Sequence, residues 1–169
     1  MKIYITACNK YTHVCPVGVE YINKHWPGQD ITIVGYESVQ ELKDLPNNVS
    51  TKFLGKQQNY GESWTTALIP FFNDVPEEYF VVLLDDLVIM NSMDMDKISV
   101  LEEQIKQNKA QKAMIGGGLP LNLTKEIGEE LLEFRQDIDY RATLHPAIWN
   151  KRYFLKYLKP NMTPWQFEI

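Results

Sequence analysis

Tyr79 to Met90 reads Tyr-Phe-Val-Val-Leu-Leu-Asp-Asp-Leu-Val-Ile-Met, an apolar run of strand length with two adjacent carboxylates where the strand should end. Such a run is expected of a strand buried on both faces of a sheet. Two negative charges at the edge of a core are costly unless positive charge meets them. A divalent cation supplies that charge, and the hard oxygens of Asp85 and Asp86 suit Mg²⁺ or Mn²⁺. The alternative is a surface turn with solvated acids. The apolar flanks favour a functional pair, and the carboxyl end of a central strand is where α/β sheets bind ligands.

Other residues bear on chemistry more weakly. Gly61 permits close backbone approach, and Ser63 suits a helix N-cap whose amides favour phosphate; a simple cap explains the same residues. Glu168 lies among aromatics in Trp-Gln-Phe-Glu. Partial desolvation there suits a general base, and a mobile, uninvolved position is equally open. His145 can be a ligand, a base or a hydroxyl partner, or a structural residue. Asp94 and Asp96 read as helix-capping residues. Gly116-Gly117-Gly118 lacks the spacing of a dinucleotide fingerprint. Cys8, His13 and Cys15 match no trusted zinc spacing.

The elements that must position these residues follow from pattern. Strands are expected at 2–7, 30–36, 50–54, 79–84, 113–115 and 139–144. Helices are expected at 19–26, 39–45, 63–73, 96–108, 125–134 and 146–158, with 9–18 a loop. In 63–73, Trp64, Leu68, Phe71 and Phe72 share one helical face. Strand–helix alternation predicts an α/β fold with a mostly parallel central sheet and helices on both faces.

The chain has 169 residues, 44% apolar and 23% charged, with net charge −5. That fits one domain spanning 1–169. No basic cluster suggests a nucleic-acid surface. No stretch reads as a signal peptide or a membrane span, so a cytoplasmic protein with reduced thiols is expected. The Asn-x-Ser/Thr triplets at Asn48, Asn122 and Asn161 then read as chance matches.

Asn59-x-Gly61-x-Ser63-Trp64, a helix, and then Glu78 through Asp85-Asp86 together resemble GT-A glycosyltransferases, particularly small family-2-like enzymes of bacteria and their viruses. His145-Pro146-Ala147-Ile148-Trp149 and Pro164-Trp165-Gln166-Phe167-Glu168 resemble the acceptor half of that group. The resemblance implies a GT-A, Rossmann-like fold and inverting transfer of a sugar from a nucleotide donor, with UDP favoured, to a glycan hydroxyl, as in surface polysaccharide synthesis. It implies Thr6, Ala7 and Asn9 at the base and ribose, and Glu37 near the base. It puts Asn59, Gly61, Ser63 and Asp85 near the diphosphate, and Asp85 and Asp86 on Mn²⁺ or Mg²⁺. Glu168 is then the base, and His145, Trp149 and Trp165 contact the acceptor. Two departures stand out. The Asp pair lacks an intervening residue, and the sequence stops soon after Glu168, where family members continue. A truncated or degenerate, non-catalytic module that binds nucleotide or glycan is therefore one alternative. A sugar nucleotidyltransferase is another, although 9–18 is a poor match to its basic Gly-rich loop.

Overall fold

The computed structural model describes residues 1–116, 123–128, 131–135, 137 and 141–169. Its centre is a six-stranded sheet. β1 (Lys2–Thr6), β2 (Asp30–Gly35), β3 (Val49–Phe53) and β4 (Tyr79–Leu84) run parallel. β5 (Lys112–Met114) lies at the far edge. A hairpin of β6 (Thr124–Gly128) and β7 (Leu131–Phe134) forms a separate two-stranded sheet. β8 (Ala147–Asn150) inserts antiparallel between β4 and β5. The strand order is β3-β2-β1-β4-β8-β5.

Period-two patterning on doubly buried strands makes two cores. Ile3, Ile5, Ile31, Ile33, Val81 and Leu83 face one layer. That layer holds α1 (Cys15–His25) and α3 (Met95–Lys106), through Val19, Ile22, Ile98 and Ile105. Tyr4, Val34, Phe80, Val82 and Trp149 face the other layer. There they meet α2 (Thr65–Asp74), α4 (Lys151–Tyr157) and α5 (Pro164–Glu168), through Leu68, Phe72, Phe154 and Phe167. Tyr4 sits edge-on to Phe71, Phe72 and Phe80, each at 5.4 Å between centroids. Its hydroxyl donates to Glu77 Oε2 at 2.6 Å. Among the described residues no helix is long and apolar enough to cross a membrane.

Several expected elements differ. The expected loop 9–18 already contains a 3₁₀ turn, Thr12–Val14, and the first turn of α1. Pro16 is tolerated there because first-turn amides have no intrahelical partner. Gly18 is buried on the inward face of α1. The expected helix 39–45 is a 3₁₀ turn, Glu37–Glu41. The expected helix over 125–134 is the β6–β7 hairpin, in which Gly128 pairs with Leu131. Three apolar residues at helical spacing do not outweigh a glycine, which costs a helix interior about 1 kcal/mol against alanine. The expected helix 146–158 is strand β8 followed by α4, whose N-cap Asn150 accepts from the Tyr153 amide at 3.2 Å. Arg141 to Leu144 form no strand, and the start of that expected strand, 139–140, lies outside the described residues. So do Gly117, Gly118 and Asn122. Asp94 does cap α3, accepting from the Lys97 amide at 3.1 Å.

β2 ends on Gly35 for a steric reason. A Cβ there would lie 2.7 Å from both the Ala7 carbonyl oxygen and Val39 Cγ1. The backbone oxygen cannot yield without moving the end of β1. Gly35→Ala is therefore expected to cost about 1–3 kcal/mol through overpacking. Urea unfolding of the two proteins checks this; equal midpoints would contradict it.

Candidate active site

Consecutive parallel strands fill the sheet outward from β1 to β3, and the chain then returns to place β4 on the other side of β1. This reversal opens a crevice beyond the carboxyl ends of β1 and β4, the usual ligand position in such sheets. Asp85 and Asp86 form the turn directly after β4, closed by the Leu87 amide on the Leu84 carbonyl at 3.1 Å. Asp85 reaches across the crevice, where the Cys8 amide donates to its Oδ2 at 3.0 Å. Burial pushes the Asp85 carboxyl above its ordinary range; the Cys8 amide opposes this and the Asp86 charge adds to it. Asp86 is exposed. One half-buried and one exposed carboxylate provide hard oxygen donors. Among the described residues, no cluster of three His, Cys, Asp or Glu joins them. That donor set fits a cation completed by substrate phosphates. Burial also raises both thiols, Cys15 up to about 12, so neither offers a ready thiolate.

The loops after β1 and β2 are laced together. Asn9 Nδ2 donates to Glu37 Oε2 at 2.9 Å, and the Gln57 amide donates to the same oxygen at 2.9 Å. Asn9 Oδ1 accepts from the Ser38 amide and hydroxyl at 3.1 and 2.8 Å. These donors hold the Glu37 carboxyl below its ordinary range, the Asn9 contact foremost. Thr6 and Ala7, both buried, end β1 beside this network. Trp64 Nε1 donates to Thr6 Oγ1 at 3.2 Å, and its ring meets Phe167 edge-on at 5.3 Å. Trp64 thus ties the β1 end to the helix that carries Glu168.

The Trp64, Thr65 and Thr66 amides at the start of the helix after Gly61 are already engaged. Gly61 has φ +57, and Asn59 is exposed. Ser63 Oγ accepts from the Thr66 amide at 3.1 Å. The Met162 carbonyl accepts from the Trp64 and Thr65 amides at 2.8 and 3.2 Å. Thr65, fully buried, donates its hydroxyl to the Lys159 carbonyl at 2.6 Å and accepts from the Met162 amide at 3.0 Å. Ser63 supports the first turn from one residue before the N-cap Trp64, and the Met162 carbonyl takes up the first two amides.

Because β8 runs antiparallel to β4, the residues just before it reach the same sheet edge as the Asp pair. There the Thr143 hydroxyl and the Leu144 amide donate to Glu168 Oε1 at 3.1 and 2.5 Å. Lys112 Nζ donates to the Thr143 and Arg141 carbonyls at 2.5 and 3.2 Å and lies 4.4 Å over the Trp149 ring. Burial lowers the Lys112 ammonium to about 7, and the Glu168 charge draws it back up. Trp149 is fully buried between β4 and β5. It is a core residue, not an acceptor contact, because both faces of that strand are covered. His145 is exposed, and Trp165 is 73% exposed. Sequence reasoning missed Cys8, Gln57, Ser38, Lys112 and Thr143. Their roles arise from tertiary contacts.

No family model and no curated protein matches the sequence. Solved structures match by shape. An active-site mutant of the galactosyltransferase LgtC aligns at TM-score 0.55 and 11% identity, over 92% of this chain and 59% of that one. S. aureus TarS aligns at 0.56 and 14%, over 92% and 48%. The fold is GT-A-like. A cytidylyltransferase from Leptospira borgpetersenii aligns at 0.55 and 11%, over 99% and 67%. The chain thus spans about half to two thirds of these structures.

Two outcomes are expected from the site's framework. Thr65→Val leaves a buried carbonyl and amide unpaired and should lower stability by about 1–3 kcal/mol, read as a reduced urea midpoint. Lys112 is the second case. In the unfolded chain a lysine stays protonated to about pH 10.4. Folded Lys112 loses its proton from about 7, so above that pH the unfolded state binds more protons and stability rises with pH. The urea midpoint should climb from about pH 7 to about pH 8, ahead of the usual titration of cysteine, and Lys112→Met should lose that rise.

Proposed function

We propose that the chain is a metal-dependent glycosyltransferase that moves a sugar from a nucleotide donor to a glycan hydroxyl with inversion. The supporting observation is the arrangement of carboxylates: Asp85 spans the β1–β4 crevice beside the exposed Asp86, and Glu168 is anchored at the same sheet edge. Asn9 and Glu37, locked by Ser38 and Gln57, form a polar wall for the nucleoside. Thr6 and Ala7 line its floor.

In this reading Asp85 and Asp86 hold Mn²⁺ or Mg²⁺, which neutralises charge on the departing diphosphate. Glu168 keeps its orientation through Thr143 and Leu144, with Oε2 left to receive the acceptor proton. The acceptor oxygen forms a bond to the anomeric carbon as the bond to the diphosphate breaks, in one in-line displacement. Asn59 and Gly61 border the diphosphate by position, and His145 and Trp165 provide exposed contacts for the acceptor. A sugar nucleotidyltransferase is the second reading, favoured by the shape match to the cytidylyltransferase.

Calorimetry with UDP and other nucleoside diphosphates, with and without Mn²⁺, tests the site. Metal-dependent binding is expected to weaken at least about tenfold in Asp86→Asn, the scale of one charged contact. Glu168→Gln should retain that binding and lose sugar transfer by about 100-fold or more, the scale of a general base. Metal-dependent binding unchanged in Asp86→Asn would refute the metal assignment. Formation of a nucleotide sugar from a nucleoside triphosphate and a sugar phosphate would favour the second reading.

A further inference from the structure

Lys112 occupies a strand position that packing alone would give to an aliphatic residue. It pairs in register with Trp149, at the edge of the sheet. A cation there must be compensated. Its partners are two carbonyl oxygens, those of Arg141 and Thr143, and the face of Trp149. The segment 141–144 has no strand or helix hydrogen bonds of its own to hold it. On one side its carbonyls meet the Lys112 ammonium. On the other, its Thr143 hydroxyl and Leu144 amide meet Glu168 Oε1. One short loop is therefore gripped by the Lys112 amino group, whose two N–H donations persist in the neutral amine, and in turn grips a carboxylate. Lys112 is not itself a substrate-binding group in this arrangement, because the carbonyls and the ring enclose its ammonium.

We propose that Lys112 is a positioning residue: by clamping the Arg141 and Thr143 carbonyls it fixes the loop that aims the Glu168 carboxylate at the acceptor hydroxyl. This rests on the reading of Glu168 as the base. Misplacing a reacting group by about 1 Å can cost on the order of 100-fold in rate. Removal of the clamp acts on Glu168 geometry and leaves the nucleotide wall of Asn9, Glu37 and Gln57 untouched.

The test compares wild type, Lys112→Met, Lys112→Arg and Glu168→Gln in the full chain. Three readouts are taken: UDP binding with Mn²⁺ by calorimetry, kcat and KM for sugar transfer from a UDP-sugar to a glycan panel, and hydrogen exchange at the Leu144 amide. Lys112→Met should lower kcat by about 10- to 100-fold with UDP binding within about twofold. Leu144 exchange should accelerate at least about tenfold, because its acceptor is no longer held. Lys112→Arg, which keeps the charge and the donors, should recover most of the protection and the rate. Should Lys112→Met fail to fold, Lys112→Gln replaces it, with a kcat loss of at least about fivefold expected. A kcat and a Leu144 exchange rate both within twofold of wild type in the uncharged variant overturn the proposal. If Glu168→Gln is inactive in that case, the base assignment survives and only the clamp falls. If Glu168→Gln transfers normally, or wild type transfers nothing, the base assignment fails and the clamp falls with it.

Discussion

The central strands of the sheet are buried on both faces, and this constraint governs where chemistry can sit. Ile3, Ile31, Val81 and Ile148 point into one layer, and Tyr4, Phe80, Val82 and Trp149 into the other. No polar side chain in the middle of such strands can be solvated, so chemistry is confined to their ends. The β1–β4 pairing at the reversal of strand order then selects one end. The Cys8–Asp85 hydrogen bond ties the two strand ends together through one carboxylate oxygen. Gly35 lets the β2 end approach closely enough to bring the Glu37 loop beside Asn9.

The sequence discloses the parts of this arrangement that depend on local pattern. The run from Tyr79 to Leu84 declares a doubly buried strand, and the acids after it declare a strand end. Lys2–Thr6 and Asp30–Gly35 are legible for the same reason, as is the Asp94 cap. The second half is harder because its elements are short and its pairing is long-range. Ala147, Ile148 and Trp149 follow a proline that suits a helix start, and only their neighbours β4 and β5 make them a strand. The β6–β7 residues carry apolar spacing compatible with helix, and Gly128 is the one local sign against it. Glu168 stood out by its aromatic setting. Its anchor on Thr143 and Leu144 was invisible, because nothing in those residues names a partner about two dozen positions away.

The two ends of the crevice differ in how their acids are treated. Glu37 is partly exposed, supplied with donors and held ionised. Asp85 is half-buried, faces a second acid and is pushed toward its neutral form. An acid strained in that way gains from a cation, whereas Glu37 is already satisfied by amides. The same contrast separates a carboxylate satisfied by donors from one left short of positive charge.

The strap from Lys159 to Met162 has a consequence for biogenesis. It satisfies Thr65 and the first amides of α2 from nearly a hundred residues downstream. While the polypeptide is being translated, α2 can dock on the nascent β1–β4 platform only with an open N-terminus. That helix gains these partners only once residues 159–162 are available. The start of α2 and the Thr143–Glu168 contact thus depend on one downstream segment, and neither is complete before residues 159–168 have been made.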